Sequence, residues 1–355
     1  MRTRRAATLA DVGREAGVSA MAASAVLNGA RTSSRISDAT RARVLEAADR
    51  LRYRPNATAR GLVSQRMNTL GVVAMHQDNA LNQYFLELFN GVIHGAAAAG
   101  QTTTVFSIGD WNEAPRRITE FCDGRIDGLI MLAPLLGPDA AEWLPEHTPL
   151  VSVHGNHELK GVVDLQADEE AGAFEMVRTM LAMGHRRILH IGGPQSAHGA
   201  LRRAQGYLRA HAAAGVKAAP DHLVHAGYDT ESGRLALESW LQRHRGEPLP
   251  QAVFGANDAV ALGCMDTLHA RGVRVPEDVS VAGFDNTLLA RVARLATVQQ
   301  PLAEMGRRAV EILVARVDAR LRDRPWQGPN KVVFPTEVVP GPTLAPPSPV
   351  SRPIH

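Results

Sequence analysis

Apolar residues in the first fifty positions recur at helical rather than strand spacing. Leu9, Val12 and Ala16 fall on one face of a first helix. Thr8 with Asp11 three residues later is a helix-start signature, because side-chain oxygens there take free N–H groups of the first turn. Gly17 stops this helix, since glycine accepts a positive φ at little cost. Ser19 caps a second helix, whose buried side closes with Val26 and Leu27. Ser37 caps a third, Asp38 favours its positive end, and Val44, Leu45, Ala48 and Leu51 form its apolar stripe. Pro55 ends it, and Asn56 then caps the segment from Ala57 to Val63. About seven residues are too few to hold a helix alone in water. This segment therefore reads as a linker that turns helical only against a partner, either DNA or a second copy of the chain.

From Asn68 the pattern changes. Short apolar runs (TLGVVAM, TTTVFSIG, IDGLIMLAP, PLVSVHG, RILHIGG, AVFGAND, VSVAGFD) alternate with helical stretches such as FLELFNGVIHGAAAAG and AGAFEMVRTMLAMG. That alternation marks parallel α/β sheets covered on both faces. About 270 residues predict two such lobes, with a ligand between them outside the carboxyl ends of the strands. The Pro- and Ser-rich end, 341–355, reads as a disordered tail.

The paired helices fit an ordinary helical hairpin as well as a helix-turn-helix. Charge separates the two. Residues 1–66 hold thirteen Arg against five Asp/Glu, a net +8, while 67–355 hold 26 Lys/Arg against 31 Asp/Glu, a net −5. Basic charge confined to the helical end is the footprint of a phosphate-binding module. No apolar run approaches the roughly 18 residues of a membrane span, and no apolar stretch follows the Arg-rich start as a secretory signal requires. The two cysteines, Cys122 and Cys264, lie far apart, which fits free thiols of a cytoplasmic protein. Zinc-type Cys/His spacing is missing; His154 and His157 come nearest to a ligand pair, and neither a metal nor a cofactor is expected.

The ordered set TLADVGREAGVS, SAVLNG, SDATRARVLEAADRL, YRPNATARGL, IDGLIML, ADEEAG, MGHRRILHIGGP, RRAQGY, GANDAVALG, RGVRVPEDVSVAGFDN, LATVQQP, MGRRA and FPTEVV resembles the LacI family of bacterial transcription regulators, over about residues 8 to 340. The resemblance implies a helix-turn-helix headpiece (1–54), a hinge helix (55–66) and a two-lobed effector and dimerisation domain of periplasmic-binding-protein type (67–340), its lobes doubly wound parallel sheets. It also implies a homodimer on near-palindromic, double-stranded operator DNA, controlled by a small-molecule effector.

Carried over residue by residue, the resemblance puts Ala20, Met21, Ser24 and Ala25 toward the DNA groove and Asn28 near the backbone, with Thr8, Ser19, Asn56, Ala59 and Arg60 also at DNA. Leu62 matches the leucine that wedges into the minor groove. The recognition helix is unusually poor in side chains able to read bases, since alanine offers only contact with a thymine methyl. The loop from Asn28 to Ile36 is longer than in the lac repressor, and its Arg31 and Arg35 suit phosphates or simple solvation.

In the cleft the matching residues are Tyr84, Phe85, His154, Arg203, Tyr228, Asn257, Asp285 and Gln300. His154 stands where the lac and purine repressors carry an aspartate. Stacking aromatics mixed with Arg, Asn, Asp and Gln fit a neutral carbohydrate; a purine, nucleoside or sugar phosphate is the alternative. Asp258 reads as a helix cap rather than a ligand contact. An α/β enzyme finds no support in a Walker loop, dinucleotide fingerprint or nucleophile elbow. A secreted sugar-binding protein would not need residues 1–66. The end of the chain carries no leucine heptads, so a dimer is expected rather than a coiled-coil tetramer.

Overall fold

A computed structural model describes residues 6–28, 36–54, 61, 65–75, 82–349 and 352–354. The chain forms two compact units, Met1–Asn68 and Thr69–His355.

The first unit is helical: α1 (Leu9–Ala16), α2 (Ala20–Asn28) and α3 (Asp38–Arg50). The Thr8–Asp11 capping box closes in both directions, and Gly17 ends α1 at φ 67°. Gly13 lets α1 approach the turn, since a Cβ there would meet Val18 O at 2.8 Å. Ser37 Oγ accepts from Thr40 N at 3.3 Å and starts α3. Val12, Ala16, Ala23, Val26, Val44, Ala47 and Ala48 make a small core. Leu45 does not join it: at 51% exposure it stands outside, and Ala47 takes its place on the α3 stripe. At about 100° per residue Val44, Ala47, Ala48 and Leu51 share an arc of roughly 100°, and Leu45 falls about 60° beyond its edge at Ala48.

The second unit has two lobes. The first lobe contains β1 (Thr69–Met75), α4 (Gln83–Ala98), β2 (Thr102–Ile108), α5 (Ala114–Phe121), β3 (Gly128–Leu132), a short α6 (Ala140–Trp143), β4 (Leu150–Val153) and β5 (Val162–Ala167). The second contains α7 (Glu169–Ala182), β6 (Ile188–Gly192), α8 (His198–Ala213), β7 (Leu223–His225), α9 (Thr230–Arg243), β8 (Ala252–Gly255), α10 (Asp258–Ala270), β9 (Ser280–Ala282) and α11 (Leu288–Ala293). After β10 (Thr297–Gln299) the chain returns to the first lobe as α12 (Leu302–Leu321) and β11 (Lys331–Phe334), then crosses again to β12 (Glu337–Val339).

The first-lobe sheet runs β11-β5-β4-β3-β1-β2 and the second β7-β6-β8-β9; every pairing in both is parallel. β10 and β12 pair antiparallel between them. Strands such as GLIML are buried along their whole length, because helices cover both faces. Leu88, Val92, Leu302, Met305 and Leu313 from α4 and α12 pack one face of the first sheet, while Ile118 and Phe121 of α5 pack the other. In the second lobe Leu237, Trp240 and Val260 lie on one face, and Met176, Met180 and Tyr207 on the other. Each such side chain, fully buried, contributes about 1.5–3 kcal/mol of transfer free energy.

The sequence reads 341–355 as a disordered tail; its described residues, 341–349 and 352–354, instead lie against the second lobe. Thr343 Oγ1 donates to Val281 O and accepts from Ala296 N. Ala345 O accepts from the Ser280 hydroxyl at 3.0 Å. Farther on, Leu249 N donates to Arg352 O, Ile354 N donates to Glu247 O, and Ile354 is 3% exposed against the second-lobe core. Proline-rich composition suppresses helix and sheet, but it does not prevent an extended strap when backbone partners and an apolar seat are in place.

Candidate functional site

The helical unit presents Ala20 and Met21 outward, Met21 at 77% exposure, with Ser24 half-buried. Ala25 departs from expectation: its methyl is buried at 7%, on the rim next to Val26. Ser19 Oγ accepts from Ala22 N at 3.1 Å, so it caps α2 as the sequence predicts. Thr8 is likewise engaged with Asp11. Arg31, Arg35, Asn56, Ala59, Arg60 and Leu62 lie outside the described residues, as does the Asn28 side chain.

In the second unit a pocket of about 230 Å³ opens between the lobes, lined among others by Tyr84, Asp229, Asn257, Asp285 and Leu289. Its first-lobe wall starts at α4, whose N-terminus is capped by Asn82 Oδ1 accepting from Phe85 N at 3.1 Å. The cap orients Tyr84 and Phe85, whose rings meet edge to face at 5.2 Å. Tyr84 Oη makes a short hydrogen bond with His154 Nδ1. Ala167 N donates to His154 Nε2 at 3.2 Å. A backbone N–H can only donate, so Nε2 holds the lone pair and Nδ1 the proton. The imidazole thus donates to the Tyr84 oxygen, and the tyrosine hydroxyl keeps its own proton for another acceptor. Burial pushes the His154 pKa down to about 4, so the ring stays neutral. Burial, then Asp285 and Glu169, raise the Tyr84 pKa well above the ordinary phenol value.

The second-lobe wall is built around Arg203, 5% exposed on α8. Its guanidinium lies over the Phe284 ring at 4.1 Å. Nη2 donates to Glu169 Oε1 at 2.9 Å, and Nη1 donates to Ala256 O. Asp285 Oδ1 is 3.7 Å from Nη2 and accepts from Gln300 Nε2 at 2.6 Å. Asp285 has φ 112° and His154 φ 55°, both in the left-handed region that costs an ordinary residue about 1–3 kcal/mol. Burial raises the Asp285 pKa against the pull of Arg203, and Asp258 raises it further.

Asn257, read as a ligand contact, lines the pocket and also caps α10, while Asp258, read as the cap, makes other bonds. Asn257 is the cap of α10: its Oδ1 accepts from Val260 N and its Nδ2 donates to Tyr228 O, both at 2.9 Å. Asp258 instead ties the start of α10 to the start of α11 and to β10, accepting from Thr287 N, Thr287 Oγ1 and Thr297 Oγ1. Tyr228 packs against Gly193, where a Cβ would strike its ring at 2.6 Å.

Sequence reasoning passed over Glu169 and Asn156. Glu169 follows the helix cap Asp168 in ADEEAG, where an acidic first turn explains it without a site; only the fold brings it to Arg203. Asn156 Nδ2 donates to Ser196 O at 2.9 Å, and its Oδ1 accepts from His198 N at 3.1 Å, so a first-lobe loop grips the second lobe. Arg291 of α11 reaches Glu87 of α4 at 2.7 Å, a second tie between the lobes. His157 meets the His198 ring at 4.8 Å, while His154 turns to Tyr84. Among the described residues no cluster of three or more His, Cys, Asp or Glu could hold a metal, and no helix is long and apolar enough to cross a membrane.

Comparison with known proteins agrees with this architecture. Residues 8–56 match "Bacterial regulatory proteins, lacI family", and residues 177–344 match "Periplasmic binding protein-like domain". The chain is 31% identical to the HTH-type transcriptional repressor PurR of Vibrio atlanticus over 316 residues, 88% of this chain and 92% of that one. It is 30% identical to Catabolite control protein A of Priestia megaterium, over 92% of this chain and 98% of that protein. Among solved structures, the cellobiose complex of the regulator CelR aligns with a TM-score of 0.69 at 27% identity, over 95% of this chain and 99% of that one. The lac repressor dimer bound to operator aligns with a TM-score of 0.81 at 24% identity, over 96% and 100%, a likeness of fold. With relatives matched over nearly their full length and both domains in family order, the chain belongs to the LacI family of bacterial transcriptional regulators.

Proposed function

We propose that this chain is a cytoplasmic, non-enzymatic transcriptional repressor whose affinity for double-stranded operator DNA is set by a small polar ligand, most simply a neutral carbohydrate, bound between its lobes. The protein acts as a homodimer, with residues 1–54 as headpiece, 55–66 as hinge and 67–340 as effector domain. Met21, Ala20 and Ser24 face the groove, Leu62 wedges the minor groove, and Arg31, Arg35 and Arg60 hold phosphates. The effector is held by Tyr84, Phe85, His154, Arg203, Tyr228, Asn257, Asp285 and Gln300.

The observation that carries this reading is the pocket walled by both lobes, with Tyr84 on one side and Asn257 and Asp285 on the other. A ligand touching both walls favours the closed arrangement over an open one, and a change in lobe population is what a regulator transmits. The charge balance supports a neutral ligand. Glu169, Asp258 and Asp285 are buried near a single buried guanidinium, Arg203. His154 is uncharged and Arg203 is already paired with Glu169, so a phosphate would meet no unpaired positive charge on these side chains. The cellobiose complex of CelR supports a sugar, and the purine repressors among the relatives make a nucleobase the second reading.

A thermal-shift screen of the full chain against neutral mono- and disaccharides, nucleobases and sugar phosphates tests it. Saturable stabilisation by a neutral sugar is expected, since a ligand of the folded state raises its stability with concentration. Stabilisation by sugar phosphates alone would overturn the ligand class.

A further inference from the structure

Helix α8 carries Arg202 and Arg203, yet it starts without a cap of its own. Ala197 occupies its N-cap position and has no side chain able to accept a hydrogen bond. The free N–H groups of a first turn need acceptors, and a buried or half-buried helix end without them is destabilised. The acceptor here comes from the other lobe. Asn156, in the loop after β4, offers its Oδ1 to His198 N at 3.1 Å, while its Nδ2 donates to Ser196 O at 2.9 Å. The side chain therefore satisfies a donor and an acceptor on either side of Ala197. Beside this contact the His157 and His198 rings pack edge to face at 4.8 Å. About one turn along α8, Arg202 donates to Gln166 of the first lobe and its neighbour Arg203 holds Glu169.

We propose that Asn156 is a positioning residue that caps α8 in trans. It supplies the cap only when the lobes are closed, so that the order of the α8 start, and with it the placement of Arg203, is coupled to closure. Separation of the lobes removes Oδ1 from His198 N and leaves the first turn of α8 uncapped. Closure and the ordering of this turn then favour one another. This regulates the cleft assigned above to the effector, and in that sense rests on that assignment; the capping itself involves neither ligand nor DNA.

The test is amide hydrogen exchange of the full ligand-free chain, with small-angle scattering on the same samples, for the parent, Asn156→Ala and Asn156→Asp. Loss of a cap acceptor weakens a helix start by about fivefold in the local equilibrium. Asn156→Ala is expected to speed exchange of amides at 198–201 by about that factor and to enlarge the radius of gyration. Asn156→Asp keeps the acceptor for His198 N and suits a helix N-terminus, but loses the donation to Ser196 O; it is expected to restore both readouts in part. Exchange in Asn156→Ala equal to the parent overturns the proposal, as does Asn156→Asp exchanging as fast as Asn156→Ala. Faster exchange with unchanged scattering overturns the coupling to closure. A chain that passes this test but binds no screened sugar or nucleobase would leave the cap in place and remove the effector assignment, so the two failures are distinct.

Discussion

Arg203 and Glu169 lie 2.9 Å apart in the cleft floor, each with a side chain only 5% exposed. The guanidinium is thus already engaged by a carboxylate, by Ala256 O and by the Phe284 ring before any ligand arrives. Removing one partner of a buried pair leaves the other charge uncompensated, at about 3–5 kcal/mol. Arg203→Met is therefore expected to lower the urea midpoint of the effector domain as well as ligand affinity. The double variant Arg203→Met with Glu169→Gln should recover a large part of that stability. Urea unfolding of the single and double variants checks this; equal losses in both would mean the pair is not coupled.

The Glu87–Arg291 tie is of another kind. Its members are partly exposed, so it contributes about 0.2–1 kcal/mol. Arg291→Ala is expected to leave the melting temperature nearly unchanged and to loosen ligand binding by about two- to fivefold, by lowering the closed population. Isothermal calorimetry with the ligand found in the screen measures it; a large loss of stability with unaltered affinity would contradict the role.

Ile354 is buried beside Leu241, Leu249 and Val273, and Arg352 bonds Asp278 at 2.8 Å. Ile354→Ala is expected to cost about 2–5 kcal/mol if the strap is part of the core. A thermal melt near the parent value would show that the end of the chain does not stabilise the lobe.

His190 stacks between Tyr207 and Phe254 with no exposure. Burial lowers its pKa to about 4. The unfolded chain therefore binds a proton here at a pH where the folded chain does not. Stability from this site is whole above about pH 6.5 and falls as pH drops toward 4, by on the order of 3 kcal/mol. Carboxylates held up by burial, such as Asp164 at about 6, act in the opposite sense. The clean readout is a difference: between pH 6.5 and 4 the parent should lose more stability than His190→Phe. Parallel pH profiles would count against it.

Legibility followed the range of the interactions. The capping box at Thr8, the αL stop at Gly17 and the alternating strands were open to reading because each is decided within a few residues. The cleft residues could be named by family resemblance, but not their partners. Nothing local pairs Glu169 with Arg203, or sends Asn156 across to the start of α8, since those contacts join segments 34 or more residues apart. Asp258 was misread as the cap for the same reason: its carboxylate is taken by Thr287 and Thr297, 29 and 39 residues on, while Asn257 caps α10. The strap at the chain end escaped because its proline-rich composition hides an apolar anchor, Ile354.

The central claim is that the helical unit, net +8 in its first 66 residues, binds operator DNA chiefly through phosphates. The most direct measurement is fluorescence anisotropy of the full chain on a labelled duplex from its own upstream region, titrated over salt. A dimer contacting about ten phosphates should give a saturable complex whose log K falls against log salt with a slope near −9. No saturable complex, or a slope near zero, would contradict the account.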